Sequence, residues 1–168
     1  MQAKEYIEKV KNSPVYTDWI NTNPDYYLVH VFSMTGENIQ VGFYNKTEDK
    51  VVTFVIGDEI TMSGPEESFK ESGIIQPLET ERVSVDIEEA FELAKKLQES
   101  EYQKEIIDKK MIILQNLEEQ PVYNITLITK ALNFINIKLS AVDGSVITHR
   151  RNSILDLKQS EGEDGVEN

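Results

Sequence analysis

A chain of 168 residues, 39% hydrophobic and 28% charged, is long enough for one ordinary domain or two small ones with a sizeable core. Its formal net charge of −13 argues against a sequence-independent grip on phosphate backbones and against anionic membrane surfaces. The absence of cysteine excludes disulfides, thiol catalysis and thiolate metal sites.

Residues 2–12 carry Ala3, Tyr6, Ile7 and Val10 at helical spacing. Ser13-Pro14 then suits an N-cap followed by the first helical position, and starts a second short helix over Val15, Trp19 and Ile20 that stops at Asn23-Pro24. Trp19 is expected to anchor the core, with ligand stacking as the alternative. Tyr27 to Met34, Ile39 to Tyr44 and Val51 to Ile56 read as a meander of three strands. The stretch 57–82 changes character. Gly64-Pro65 is expected to open a short helix carrying Phe69 and ending at Gly73, followed by an extended connector over 74–78. Asp86 then caps a helix that places Ile87, Ala90, Leu93 or Ala94, and Leu97 on one face, running or restarting through Tyr102 to Ile107. Met111 to Leu114 reads as a short apolar strand, and 121–150 as two or three antiparallel strands. Residues 158–168 have too little apolar content to order them and are expected to form a disordered acidic tail.

A shift of 96 positions aligns Tyr27 with Tyr123 and carries through to Asn45 and Ala141 without a gap, so 27–53 reads as a diverged copy of the later strands. Alternation then sorts the faces. In the later copy Tyr123, Ile125, Leu127, Ile135, Ile137 and Leu139 form a core face, opposite Asn124, Thr126, Asn136, Lys138 and Ser140. In the earlier copy Tyr27, Val29, Val31, Ile39, Val41 and Phe43 form the core face. The opposite side holds Leu28, His30, Phe32, Met34 and Tyr44, which is too apolar to be left wet. The 57–82 excursion or a partner is expected to cover it.

The order helix 86–97, strand 111–116, strand 121–129 and then FINIKLSAVDGSVITH resembles the PepSY-type domain, in which one helix lies across a small antiparallel sheet. The family's strand-end turn is similar to Ser140-Ala141-Val142-Asp143-Gly144-Ser145-Val146, where Ala141, Gly144 and Val146 match in kind and Ser140 replaces the usual Asp. The resemblance covers Val85 to Arg151, and implies a non-catalytic module that inhibits or binds a protein or ligand. The expected fold is therefore α+β. It has two related helix-plus-antiparallel-meander units, PepSY-like, forming one compact domain or a continuous sheet. Their bounds are 1–57 for the N-terminal unit, 58–84 for the connecting excursion and 85–157 for the C-terminal unit, followed by the tail 158–168.

Chemistry-bearing constellations are sparse. His30 is either a hydrogen-bonded half-buried histidine or a general base beside a small-molecule or hydrolytic pocket, yet no G-x-S-x-G elbow supplies a nucleophile. His149-Arg150-Arg151 is a basic cluster suited to a solvated strand end or to an acidic partner. No H-x-x-x-H spacing for zinc and no glycine-rich phosphate loop occurs, so no metal, no cofactor and no enzymatic activity are expected. The candidate binding residues are Leu28, His30, Phe32, Met34, Tyr44, His149, Arg150 and Arg151. The expected partners are another protein or a second copy in a homodimer, with no nucleic acid and no membrane insertion. No apolar run approaches the ~18 residues of a membrane-spanning helix and the N-terminus has no signal-peptide core, so a cytoplasmic location is expected.

Overall fold

The computed structural model describes residues 2–68 and 75–154. The expected short helix with Phe69, its stop at Gly73, the start of the connector at Ile74 and the acidic stretch 158–168 lie outside those residues. Helix α1 (Ala3–Lys11) and helix α2 (Pro14–Thr22) are joined by Ser13, whose hydroxyl accepts from the Tyr16 N–H at 3.3 Å and donates to the Val10 carbonyl at 2.6 Å. One serine thus caps the second helix and closes the first. Strands β1 (Tyr27–Met34), β2 (Ile39–Asn45), β3 (Lys50–Ile56) and β4 (Ile60–Glu67) follow as a meander. A 3-10 turn at Thr80–Arg82 leads to helix α3 (Ile87–Glu101), and then to β5 (Ile107–Leu117), β6 (Gln120–Thr129), β7 (Asn133–Ser140) and β8 (Val146–Ser153).

All eight strands belong to one antiparallel sheet in the order β4-β3-β2-β1-β5-β6-β7-β8. The central seam is the β1–β5 pair, with Val31 opposite Leu114 and Phe32 opposite Ile113. This corrects the expected fold class: the described residues make one mostly-sheet fold of eight strands with three short helices, not two helix-plus-meander units. The reason lies in the backbone of β1. Its unpaired edge would expose a row of N–H and C=O groups beside apolar side chains, and β5 satisfies that row. The shift of 96 positions sets β1, at the centre, against β6, one strand further out.

Two elements differ from expectation. Gly64-Pro65 lies within β4 and starts no helix. At an edge strand proline forfeits no ladder bond on its outer side, and the β3–β4 register shifts opposite Gly64. Strand β5 begins at Ile107, extending through Asp108, Lys109 and Lys110, whose charges disguise its alternation.

The core lies on one face of the sheet. Ala3, Ile7 and Val10 of α1 and Ile87, Ala90 and Ala94 of α3 pack with Val31, Val41, Phe43, Phe54, Ile112, Leu114, Ile125, Ile137 and Leu139. Helix α2 adds Tyr16 and Trp19, whose rings lie 5.1 Å from Phe43 and 5.2 Å from Phe54 respectively. Trp19 is a core anchor. Tyr123 is buried on the same face, and its hydroxyl donates to the Val85 carbonyl, which ties the approach to α3 onto the sheet.

Candidate binding face

The sheet's other face is built by register. One row runs from Gln40 through Phe32, Ile113, Asn124 and Lys138 to Thr148, crossing six strands. A second runs from Thr53 through Gly42, His30, Gln115 and Val122 to Ser140. A third carries Met34, Met111, Thr126, Asn136 and Arg150. These rows bear the half-buried residues of a hollow of about 850 Å³, floored by Val29, His30, Phe32 and Ile113 and flanked by Gln40, Gln115, Asn124 and Lys138.

Residues 75–79 border this hollow at one end. The Tyr27 hydroxyl donates to the Ile75 carbonyl at 2.6 Å and the Glu79 N–H donates to the Asn116 side-chain carbonyl at 3.0 Å. Leu78, two residues before the 3-10 turn, is already buried in the core on the helix side. The described part of the 57–82 stretch therefore passes around the end of the sheet or extends its edge as β4. Among the described residues no helix lies on the open face.

A bulge decides which residues of β1 reach this face. The register of β1 against β2 shifts between Leu28 and His30, so that Val29 and His30 together face Gly42. Leu28 consequently packs with the core on the helix side, while Val29 lines the hollow. Tyr27 also moves to the open face, its ring edge-on to Tyr44 at 5.8 Å. Simple alternation assigns all three to the opposite sides.

Of the candidate residues, His30 and Phe32 line the hollow and Met34 lies beside them in the next row. Tyr44 is fully buried beneath the rim, its hydroxyl donating to Asp49 at 2.6 Å. The basic cluster is split between faces. His149 stands opposite Ile137 and Arg151 opposite Ile135, both helix-side positions. His149 Nδ1 bonds the Tyr102 hydroxyl at 2.8 Å, and Arg151 pairs with Glu105 at 3.0 Å. Arg150 projects to the open face and is exposed. Gln40, Ile113, Gln115, Asn124 and Lys138 complete the face but were not among the candidates for a site. Ile113 and Gln115 reach it only through the long-range β1–β5 pairing, which alternation within one strand does not reveal.

His30 is the titratable group at the floor. Burial lowers its pKa from the ordinary 6.5 to about 4, so the ring is neutral at neutral pH. Among the described residues neither ring nitrogen has a hydrogen-bonding partner, and the hydroxyl of Ser68, the one serine lining the hollow, is already donated to Asp49 at 2.8 Å. A ring held neutral to such low pH is a weak base. Nothing in this arrangement indicates enzymatic activity. Among the described residues no group of three or more His, Asp or Glu is placed to hold a metal ion.

No family model and no curated protein matches the chain. A crystal structure of a putative lipoprotein from Clostridium difficile 630 is similar over 82% of this chain and 90% of that one, with 14% identity and a TM-score of 0.49. The cytoplasmic expectation is not upheld: the finding that bears on it is the description of that structure as a putative lipoprotein. A likeness so distant gives this chain no location, ligand or activity in exchange. Among the described residues no helix is long and apolar enough to cross a membrane.

Proposed function

We propose that this protein is a non-catalytic binding module that receives its partner on the open face of the sheet. The observation that carries the reading is the asymmetry of the two faces. Among the described residues the three helices pack on one side, while the other presents a hollow of about 850 Å³ with Val29, Phe32 and Ile113 at its floor. A contiguous apolar surface rimmed by polar groups is the usual mark of an interaction site. The amides of Gln40 and Gln115 flanking that floor add donors and acceptors, as binding sites require for specificity. The resemblance of 85–151 to PepSY-type modules, which bind or inhibit, points the same way.

The test uses the neutral dye Nile red and backbone amide shifts. Uptake of the dye with shifts concentrated at Phe32, Ile113 and Gln115, and loss of uptake in folded F32S or I113S, is the expected result. Shifts concentrated on α1, α2 or α3, or undiminished uptake by both variants, would overturn it.

A further inference from the structure

His30 and Gly42 together shape the floor of the hollow. The ring takes the space that a side chain at position 42 would fill, so the glycine lets the imidazole settle onto the neighbouring strand. In the same row Thr53 lies beyond Gly42, and Gln115 stands beside His30. Among the described residues neither of these polar neighbours bonds the ring, and the Ser68 hydroxyl is committed to Asp49. An imidazole on an apolar floor without an intramolecular bond is destabilising unless a bound molecule supplies one.

The charges around the hollow limit what can enter. Glu66, Glu67 and Glu118 line it, and Lys138 is the one cation among the described lining residues. Glu67 is paired with Lys50 at 3.3 Å. The balance is negative in a chain of net −13, which disfavours an anion. The floor disfavours charge of either sign, since burial keeps His30 neutral and Val29, Phe32 and Ile113 offer no counter-charge. A neutral imidazole presents one N–H and one bare nitrogen. A hydroxyl group both donates and accepts, so it can serve either nitrogen. The rest of the floor suits an apolar ring set against Phe32.

We infer that the hollow binds a small uncharged aromatic alcohol of the phenol class, with its ring over Phe32 and Ile113 and its hydroxyl bonded to His30. This rests on the reading of the open face as the binding face, and narrows the partner to a small molecule. The volume of about 850 Å³ falls within the range of roughly 300–1,000 Å³ usual for such sites. The spacing suits one molecule as well. Phe32 pairs with Ile113 and His30 with Gln115, two residues along the same strands. That separation is about 7 Å, the length of a two-ring skeleton.

The full chain is titrated with 2-naphthol, whose own fluorescence reports binding, and with 2-methylnaphthalene, which has the same shape without the hydroxyl. The unmodified chain is expected to bind 2-naphthol at least as tightly as the more apolar hydrocarbon, because only the alcohol satisfies His30. H30L, checked for folding by circular dichroism, is expected to keep the hydrocarbon and to shift the ratio of the two affinities about tenfold towards it. If H30L fails to fold, nitrogen NMR of the unmodified chain decides: the His30 ring nitrogens are expected to shift further with 2-naphthol than with 2-methylnaphthalene. 2-Naphthoate and the ammonium form of 2-naphthylmethylamine are each expected to bind about tenfold more weakly than 2-naphthol, through the cost of a charge at the floor. An unchanged ratio in H30L, equal nitrogen shifts, or tighter binding of either charged analogue would overturn the phenol. Tighter binding of acetyl-Ala-Ala-Tyr-Ala-Ala-amide would do the same, in favour of a polypeptide. If Nile red still enters the unmodified hollow, the binding face survives those results. If it does not, the binding face itself falls.

Discussion

The imidazole of His30 lies against the backbone of Gly42 on the neighbouring strand, so closely that a Cβ at position 42 would overlap the ring. The two residues face each other across the β1 bulge. Glycine is required here by proximity to a side chain, not by an unusual backbone angle.

G42A should therefore cost about 1–3 kcal/mol, the usual scale for inserting a methyl group where no space exists. In an H30A background, where the ring is gone, the same substitution should cost less than about 0.5 kcal/mol. Urea denaturation of the four proteins of this cycle gives the coupling directly. Equal costs in both backgrounds would contradict the contact.

The same burial makes stability depend on pH. With a folded pKa of about 4 against an ordinary value of 6.5, the unfolded chain takes up the His30 proton first as pH falls. This contribution is whole above about pH 6.5, declines as pH drops towards 4, and changes no further below that. Its full size is about 3 kcal/mol if the ring stays dry, and less in proportion as water enters the hollow. The difference between the unmodified chain and H30Q in denaturation at pH 7 and pH 4.5 isolates it from the carboxylates, and an imidazole titration by NMR reports the pKa itself.

Arg150 and Arg151 are adjacent in sequence and opposite in consequence. Glu105, its side chain only 9% exposed, accepts from Arg151 at 3.0 Å and from Asn133 Nδ2 at 2.9 Å. R151A leaves that carboxylate with one donor and should cost about 1–2 kcal/mol. R150A removes an exposed side chain that has no partner among the described residues and should stay within about 0.5 kcal/mol of the parent. Thermal melts of the two variants side by side distinguish them.

Much of the architecture was legible in local pattern. Ser13-Pro14 marked the boundary between α1 and α2, the β-branched and aromatic runs marked β1 to β3, and strict alternation sorted Ile125, Ile137 and Leu139 from Asn124, Asn136 and Lys138. What escaped was non-local or irregular. The bulge at Val29 and His30 reverses the phase of Tyr27 and Leu28, and a bulge leaves no mark in a hydrophobic pattern. Strand β4 was hidden because Gly64-Pro65 resembles a helix start until an edge position explains the proline. The pairing of β1 with β5 joins segments separated by two further strands, the excursion and a helix, so Phe32 and Ile113 become neighbours only in the folded sheet. The binding face depends on that pairing. The placing of Lys138 and Arg150 on one face likewise needs the β7–β8 register.

The central seam also has a kinetic meaning. Six of the seven strand pairings join consecutive strands, whereas β1–β5 alone bridges distant parts of the chain. Loop-closure entropy makes such a contact late, while hairpins close early. Folding should then proceed as two meanders forming first and fusing along Val31 and Leu114 last. Truncations at those two positions should accelerate unfolding with little effect on the folding rate, and the reverse result would place the seam in the nucleus. The hollow would thus be the last part of the molecule to come into existence, since its floor is assembled from both sides of the join.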